Sequence, residues 1–198
     1  LNIVIPLVAK PTEFDQAKEI ILSEIVREKR RKHLVPKSIM VGAMLEVPSL
    51  AFASESFFNN ADFIMVGGND LKQFFFAADR ENEKVRRRYD VLSTSFLSFL
   101  SLICERCNQS KIPLSFCGED AGKPIEALVL SALGFRTLSM QPDCIGPVKS
   151  LLRSVSLSEI KALITGCLEK NIETVRLPIT KYLEDTNIYN AKMASNTV

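Results

Sequence analysis

This sequence of 198 residues has a single histidine, few long apolar runs and nearly equal numbers of basic and acidic residues. The apolar runs are well short of the roughly 20 residues that cross a bilayer, and the first residues lack the pattern of a signal peptide. A formal net charge of +2 gives no basis for binding nucleic acid or an anionic membrane. We therefore expect a cytoplasmic protein with neither nucleic acid nor a membrane as its partner.

The five cysteines favour neither a set of disulfide bonds nor a zinc centre. Cys104 and Cys107 form a CxxC pair, but they lie in a periodic apolar segment that is typical of a helix. A second CxxC pair is missing and His33 is the single histidine, so a tetrahedral zinc site lacks its other ligands. We expect buried thiols here. We also expect His33 to be exposed, beside the solvated charge run at residues 27–32.

Apolar runs alternate with amphipathic segments along the chain. Five of these runs are predicted to be buried strands, namely residues 3–8, 39–45, 63–66, 114–116 and 136–140. Helical spacing occurs between them, in the stripe from Phe14 to Ile25 and in the stripe from Phe96 to Cys104. Another helix is predicted to end at Gly134. This alternation predicts a parallel sheet with right-handed crossovers.

Polar residues at the ends of the predicted strands favour one α/β fold over another. Strands that are apolar throughout are covered on both faces, as in a doubly wound sheet or a (β/α)8 barrel. Barrel enzymes build their active sites at the carboxyl ends of several strands. Such positions are occupied here by Glu46, Asn69, Asp70 and Cys117. Five strands are too few for a closed barrel, so we expect the second half of a (β/α)8 barrel.

The predicted barrel half covers residues 1–155, and we expect two further parts after it. A helix start at Ser156 opens a helical segment that extends to residue 186, and residues 187–198 are predicted to be a disordered tail. The chain begins with Leu1 inside a strand-like run rather than with methionine. We therefore expect it to be part of a longer protein.

The segment that follows the third predicted strand carries the most informative chemistry. Gly67 and Gly68 remove side-chain bulk and let backbone N–H groups approach an anion. Asp70 offers a hard oxygen ligand, Asn69 an amide, and Arg80 a bidentate fork for phosphate or carboxylate. These groups suit a magnesium-bound phosphate ester. A glycine-rich turn with solvated polar side chains is the alternative.

Two other strand ends extend this hypothesis. Glu46 at a strand end could simply face solvent, but with Asp70 from the next strand it forms the two carboxylates of a magnesium site. Cys117 is either an inert thiol or a proton donor or acceptor near the metal. Glu119 would orient that thiol or cap the following helix, and capping is the simpler interpretation.

Several motifs, in their order and spacing, resemble the C-terminal, phosphoenolpyruvate-binding part of enzyme I of the phosphotransferase system, most closely its nitrogen-related branch. They are VGAMLEVPSL, DFIMVGGNDLKQFFFAADRENEKV, RYDVLSTSFL, PLSFCGEDAGKPIEALVLSALGFRTLSM and IGPVKSLLRS. The resemblance covers about residues 1 to 155. It implies a (β/α)8 barrel that binds phosphoenolpyruvate and Mg²⁺. The phosphoryl group would pass to a histidine on a separate N-terminal domain and then to a phosphocarrier protein.

The resemblance also implies a role for each matched residue. Glu46 and Asp70 would be the magnesium ligands. Asn69 and Arg80 would hold the phosphate of the substrate. Cys117 would deliver a proton to the methylene carbon of enolpyruvate. Metal and arginine would then neutralise the charge that spreads over the transferring group.

One position departs from the family pattern. Asn2 stands where the family has an arginine that contributes to phosphate binding. Two more arginines and the phosphorylated histidine of the family precede the region matched here. Because each charged hydrogen bond contributes about 1.5–3 kcal/mol, we expect weakened substrate binding and no turnover by these 198 residues alone.

Two other interpretations remain open. A relative of pyruvate phosphate dikinase or phosphoenolpyruvate synthase would share the Asn-Asp and Cys-Gly-Glu elements, although residues 77–85 and 134–150 favour enzyme I. The second is a non-catalytic regulatory or dimerisation module. Phe74, Phe75 and Phe76 would then supply apolar surface, unless they pack in the core. Since the barrel domain of this family dimerises, the resemblance implies a homodimer.

Overall fold

The central sheet is parallel throughout, and its strands lie side by side in chain order. The computed structural model describes residues 1–79, 82–86 and 89–188. The strands are β1 (Asn2–Ile5), β2 (Met40–Leu45), β3 (Ile64–Gly67), β4 (Leu114–Cys117) and β5 (Thr137–Ser139). All five predicted strands are confirmed. β1 ends earlier than predicted because Pro6 has no N–H to continue a ladder.

Helices connect these strands, and further helices follow the last one. They are α1 (Pro11–Arg30), α2 (Glu55–Asn60), α3 (Gly68–Phe76), α4 (Glu83–Arg86), α5 (Thr94–Gln109), α6 (Pro124–Leu133), α7 (Ile145–Ser154), α8 (Leu157–Glu169) and α9 (Arg176–Asp185). The predicted stripes lie on α1 and α5. The predicted end of α6 is also confirmed, since Gly134 has φ 131°, which glycine adopts without steric cost.

The strand order favours a barrel over a doubly wound sheet, the two arrangements that the sequence allowed. Each strand pairs in parallel with the strand before it in the chain, from β1 to β5. A doubly wound sheet reverses its strand order at a switch point, whereas successive strands of a barrel stay neighbours. The α/β class is therefore confirmed, and the order is compatible with part of a (β/α)8 barrel. That the chain forms the second half of such a barrel stays a prediction.

Burial differs between the inner and the outer strands of this sheet. Most residues of β2 and β3 are buried, as expected for strands covered on both faces. The outer strands β1 and β5 carry only half-buried and exposed residues. In β4 only Phe116 is buried, so the expected coverage on both faces holds for β2 and β3 only. They hold the polar groups at their carboxyl ends in a rigid frame, because each fully buried aliphatic side chain contributes about 1.5–3 kcal/mol.

The C-terminal helices pack against the rest of the molecule through α6. α8 and α9 both contact α6, and their buried residues belong to the same core cluster as those of the sheet. A charged clamp adds to this packing. Arg176 donates to both carboxylate oxygens of Asp90, at 2.8 and 2.7 Å, and to Glu126 at 2.7 Å. Of the predicted tail, only residues 187 and 188 are among the described residues.

The cysteines and the single histidine lie as the sequence predicts. All five cysteines are free thiols, and Cys104 and Cys107 are buried. Burial raises the pKa of each of these two thiols to about 12, so the CxxC pair stays protonated. His33 is exposed and contacts Glu28. Among the described residues, no helix combines the length and the apolar character needed to span a bilayer.

Replacing Gly42 by alanine should destabilise the sheet. A Cβ at this position would lie 2.5 Å from the Phe63 ring and 2.6 Å from the Phe63 carbonyl oxygen. We expect a loss of about 1–3 kcal/mol in the free energy of unfolding in urea. Gly166→Ala in α8 is the matched control, because a Cβ there meets no atom within 4 Å. It should stabilise by up to about 1 kcal/mol. Equal stability of the two variants would contradict this account.

Candidate active site at the carboxyl edge of the sheet

Three neighbouring strands bring their last residues into one row. The register pairs Leu45 of β2 with Val66 of β3, and Gly67 of β3 with Cys117 of β4. Glu46 follows Leu45 directly. The row across the sheet therefore consists of a carboxylate, a glycine and a thiol. Because the strands are parallel, all three positions lie at the same edge.

Glu46 is buried and held in a defined orientation. The residue is 4% exposed, and its Oε1 accepts a hydrogen bond of 2.7 Å from the backbone N–H of Leu7. Leu7 has φ 51°, in the left-handed region that costs about 1–2 kcal/mol for a residue with a Cβ. A Cβ on Gly67 would lie 2.6 Å from the other oxygen, Oε2. Glycine at position 67 thus makes the space that this carboxylate occupies.

The second glycine lets α3 begin directly above β4. A Cβ on Gly68 would lie 2.3 Å from Cζ of Phe116 and 3.1 Å from the carbonyl oxygen of Cys117. Asn69 and Asp70 therefore enter the first turn of α3 at the carboxyl edge. The backbone N–H groups at the amino end of a helix favour a bound anion.

Asn69 connects α3 to the turn that follows β4. Its Oδ1 accepts a hydrogen bond of 3.2 Å from the backbone N–H of Glu119. The same oxygen lies 3.0 Å from the place where a Cβ on Gly118 would be, and Gly118 has φ 132°. A larger residue at position 118 would be strained and would crowd the amide of Asn69.

Cys117 lies within the electrostatic influence of both carboxylates. Its half-buried thiol donates to the carbonyl oxygen of Val66 at 3.4 Å. Burial raises the pKa of Cys117, and the negative charges of Glu46 and Asp70 raise it further. A thiol with a raised pKa keeps its proton at neutral pH. Because two carboxylates act on one thiol, residues from three separate segments share one neighbourhood.

Of the remaining predicted residues, two pack against the core, one is exposed and one lies outside the described residues. Arg80 lies outside the described residues. Phe75 packs against Phe99 with a centroid distance of 5.1 Å, and Phe76 stacks on Tyr89 at 4.7 Å. Core packing thus accounts for two of the three phenylalanines. Phe74 is 45% exposed.

A buried ion cluster beside this row was missed by the sequence analysis. Asp120 is 2% exposed, and it accepts hydrogen bonds from Lys72 at 2.6 Å and from Lys123 at 2.9 Å. Burial alone would raise the pKa of Asp120, but the two lysines outweigh it and the pKa is lowered. The only local sequence signal was an acidic residue three positions before Lys123, whereas Lys72 is 48 positions away and gave none.

The donor set fits Mg²⁺ better than a transition metal. Within residues 1–79, 82–86 and 89–188, histidine, cysteine and acidic side chains do not gather in groups of three that could hold a metal ion. Mg²⁺ needs only one or two protein carboxylates, since substrate oxygens and water complete its shell. The two carboxylates would come from Glu46, which is buried, and from Asp70, which lies at the start of α3.

Curated proteins with similar sequences are named as phosphoenolpyruvate-dependent phosphotransferases. The family model described as "PEP-utilising enzyme, PEP-binding domain" matches residues 1–157. The chain is 36% identical over 187 residues to the "Phosphoenolpyruvate-dependent phosphotransferase system" protein of Salmonella typhimurium, covering 93% of this chain and 25% of that protein. It is 33% identical over 184 residues to the "Phosphoenolpyruvate-protein phosphotransferase" of Listeria monocytogenes, covering 92% of this chain and 32% of that protein.

The chain thus spans only about a quarter to a third of the length of these two curated relatives. Among solved structures, RipC from Yersinia pestis is similar in fold, with a TM-score of 0.51 and 15% identity over 80% of this chain and 66% of that one. The predicted resemblance to enzyme I is confirmed by the sequence matches. This chain belongs to the family of PEP-utilising enzymes and corresponds to their PEP-binding domain.

Proposed function

We propose that the chain is the part of a phosphoenolpyruvate–protein phosphotransferase that binds phosphoenolpyruvate and Mg²⁺. The observation that carries this proposal is the meeting of Glu46, Asp70 and Cys117 at one edge of the sheet, where both carboxylates act on one thiol. The names of the curated relatives support the same activity. Those relatives are much longer than this chain, so transfer to a histidine and to a phosphocarrier would need other parts of the protein.

The metal would be held by Glu46 and Asp70. The N–H of Leu7 already binds one oxygen of Glu46, which restricts the rotation of that carboxylate. Bound Mg²⁺ would neutralise negative charge on the phosphoryl oxygens of the substrate.

The phosphate would lie at the start of α3. Because Oδ1 of Asn69 accepts from Glu119, its amide NH₂ group is the side-chain donor that can bind a phosphate oxygen. The first N–H groups of α3 would add further donors. The family resemblance adds Arg80 as a bidentate partner.

Cys117 would complete the reaction as a proton donor. When the phosphoryl group leaves phosphoenolpyruvate, the enolate carbon takes the proton of the thiol, and pyruvate and a thiolate result. The thiol would be in its protonated form before this step, because burial and the two carboxylates raise the pKa of Cys117. The thiolate then needs a proton from solvent before the next cycle.

Asn2, the residue that departs from the family pattern, lies away from the carboxyl edge of the sheet. Asn2 begins β1 and pairs with Met40 at the start of β2. It is therefore about 13 Å along the strand from Pro6, which follows the carboxyl end. A side chain at position 2 is therefore too far away to hold the phosphate, and weak binding without turnover is expected instead because the chain spans only part of its relatives. A non-catalytic dimerisation module would have no need for a buried carboxylate at this edge, and the relatives' names favour a phosphotransferase over a dikinase or synthase.

Removing either carboxylate should weaken binding of Mg²⁺ with phosphoenolpyruvate. Calorimetric titration of Glu46→Gln and Asp70→Asn should give dissociation constants at least about tenfold higher than the unchanged protein, since a charged interaction contributes about 1.5–3 kcal/mol. Glu24→Gln is the control, because Glu24 lies on the exposed side of α1 and pairs with Arg27. Unchanged affinity in both site variants, or phosphoenolpyruvate binding without any dependence on Mg²⁺, would refute the proposed site.

The effect of Asp70 on Cys117 should be measurable as a change in the pKa of the thiol. Replacing Asp70 by asparagine removes a negative charge that disfavours the thiolate, so the pKa of Cys117 should fall. Alkylation as a function of pH, followed by mass spectrometry of the peptide that contains Cys117, measures the midpoint. Asp70→Asn should move that midpoint to lower pH, and Glu24→Gln should leave it in place. An unchanged or higher midpoint in Asp70→Asn would show that the two groups are not neighbours.

A further inference from the structure

Asp120 forms a buried ion pair that joins two different elements. Its side chain is almost wholly buried, and its Oδ2 lies 2.6 Å from Nζ of Lys72. The two residues are 48 positions apart in the chain. Asp120 belongs to the short 3-10 turn Glu119–Gly122, and Lys72 belongs to α3. A contact of this length in the interior restrains both elements, because breaking it leaves a buried charge with one partner fewer.

Each end of this ion pair lies next to a residue of the proposed site. Lys72 follows Asp70 by two residues, which is about 3 Å along the axis of α3. Asp120 follows Cys117 by three residues, through the glycine at position 118. The pair therefore links the segment that carries the predicted metal ligand to the segment that carries the thiol.

A hydrogen bond beside this ion pair also joins α3 to the 3-10 turn. The backbone N–H of Glu119 donates to Asn69 at 3.2 Å. Residues 69 and 72 are three positions apart on α3, so they lie on the same face of that helix, and this face contacts the 3-10 turn. One connection starts in the first turn of α3 and the other in the second, so together they oppose rotation of the helix as well as its separation from the 3-10 turn.

We infer that Lys72 and Asp120 are positioning residues that fix the distance between Asp70 and Cys117. The roles of Asp70 and Cys117 in this inference rest on the proposed function, whereas the connection between α3 and the turn does not. The ion pair would hold the metal ligand and the proton donor in their relative places, so that one substrate can contact both.

Lys123 provides a natural comparison with Lys72. It also donates to Asp120, at 2.9 Å, but it lies only three residues away, at the end of the same turn. It neutralises the carboxylate without joining that turn to α3. Loss of either lysine leaves Asp120 with one cation, so both single variants should fold. The two substitutions also remove the same charge from the same carboxylate.

Three measurements on Lys72→Met and Lys123→Met test the inference. They are calorimetric titration with Mg²⁺ and phosphoenolpyruvate, unfolding in urea, and NMR hydrogen exchange at the amide of Glu119. Lys72→Met should raise the dissociation constant about tenfold or more, as expected when a group that orients a metal ligand is lost. It should also speed exchange at Glu119. Lys123→Met should change the dissociation constant less than about threefold. Lys72→Arg keeps the cation and should restore most of the affinity.

The outcomes separate this inference from the proposed function. If both lysine variants weaken binding equally, charge alone explains the effect and the positioning role is refuted. If Lys72→Met leaves the exchange at Glu119 unchanged, the ion pair does not hold α3 to the turn, which also refutes it. If the unchanged protein does not bind Mg²⁺ with phosphoenolpyruvate, the proposed function fails. In that case, faster exchange at Glu119 in Lys72→Met but not in Lys123→Met would still support the connection between α3 and the 3-10 turn.

Discussion

The hydrogen-bonded register of β2, β3 and β4 is the constraint on which the candidate site depends. It sets Gly67 beside Cys117, and it brings Glu46 to the same edge of the sheet. A shift of one residue in either ladder would turn these positions to the opposite face. The glycines of β3 and α3 are part of this constraint, because side chains there would collide with Glu46 and with Phe116.

The same edge brings several acidic side chains together, namely Glu46, Asp70 and Asp120. Asp120 has two lysines as partners, whereas Glu46 and Asp70 act together on the thiol of Cys117 and raise its pKa. A divalent cation between these two carboxylates would reduce their mutual repulsion. In the proposed function, the raised pKa keeps the thiol of Cys117 protonated, as an acid requires.

Much of the fold could be predicted because local patterns decide it. Strand positions followed from short apolar runs, and helices followed from stripes such as the one from Phe96 to Cys104. The strand-end residues could be singled out because polar groups there interrupt apolar runs. The hydrogen bonds between distant segments could not be predicted. The N–H of Leu7 reaches Glu46 across 39 positions, and Lys72 reaches Asp120 across 48.

The sequence by itself determined the family, the α/β class and the residues at the ends of the strands, because periodicity and motif spacing are properties of neighbouring positions. Only the tertiary structure decided which of those residues meet and which polar side chains are buried. Asp120 illustrates the difference. An acidic residue in a turn between two glycines is expected in solvent, but Asp120 lies in the interior because α3 and the turn pack together and bring it a lysine from another element.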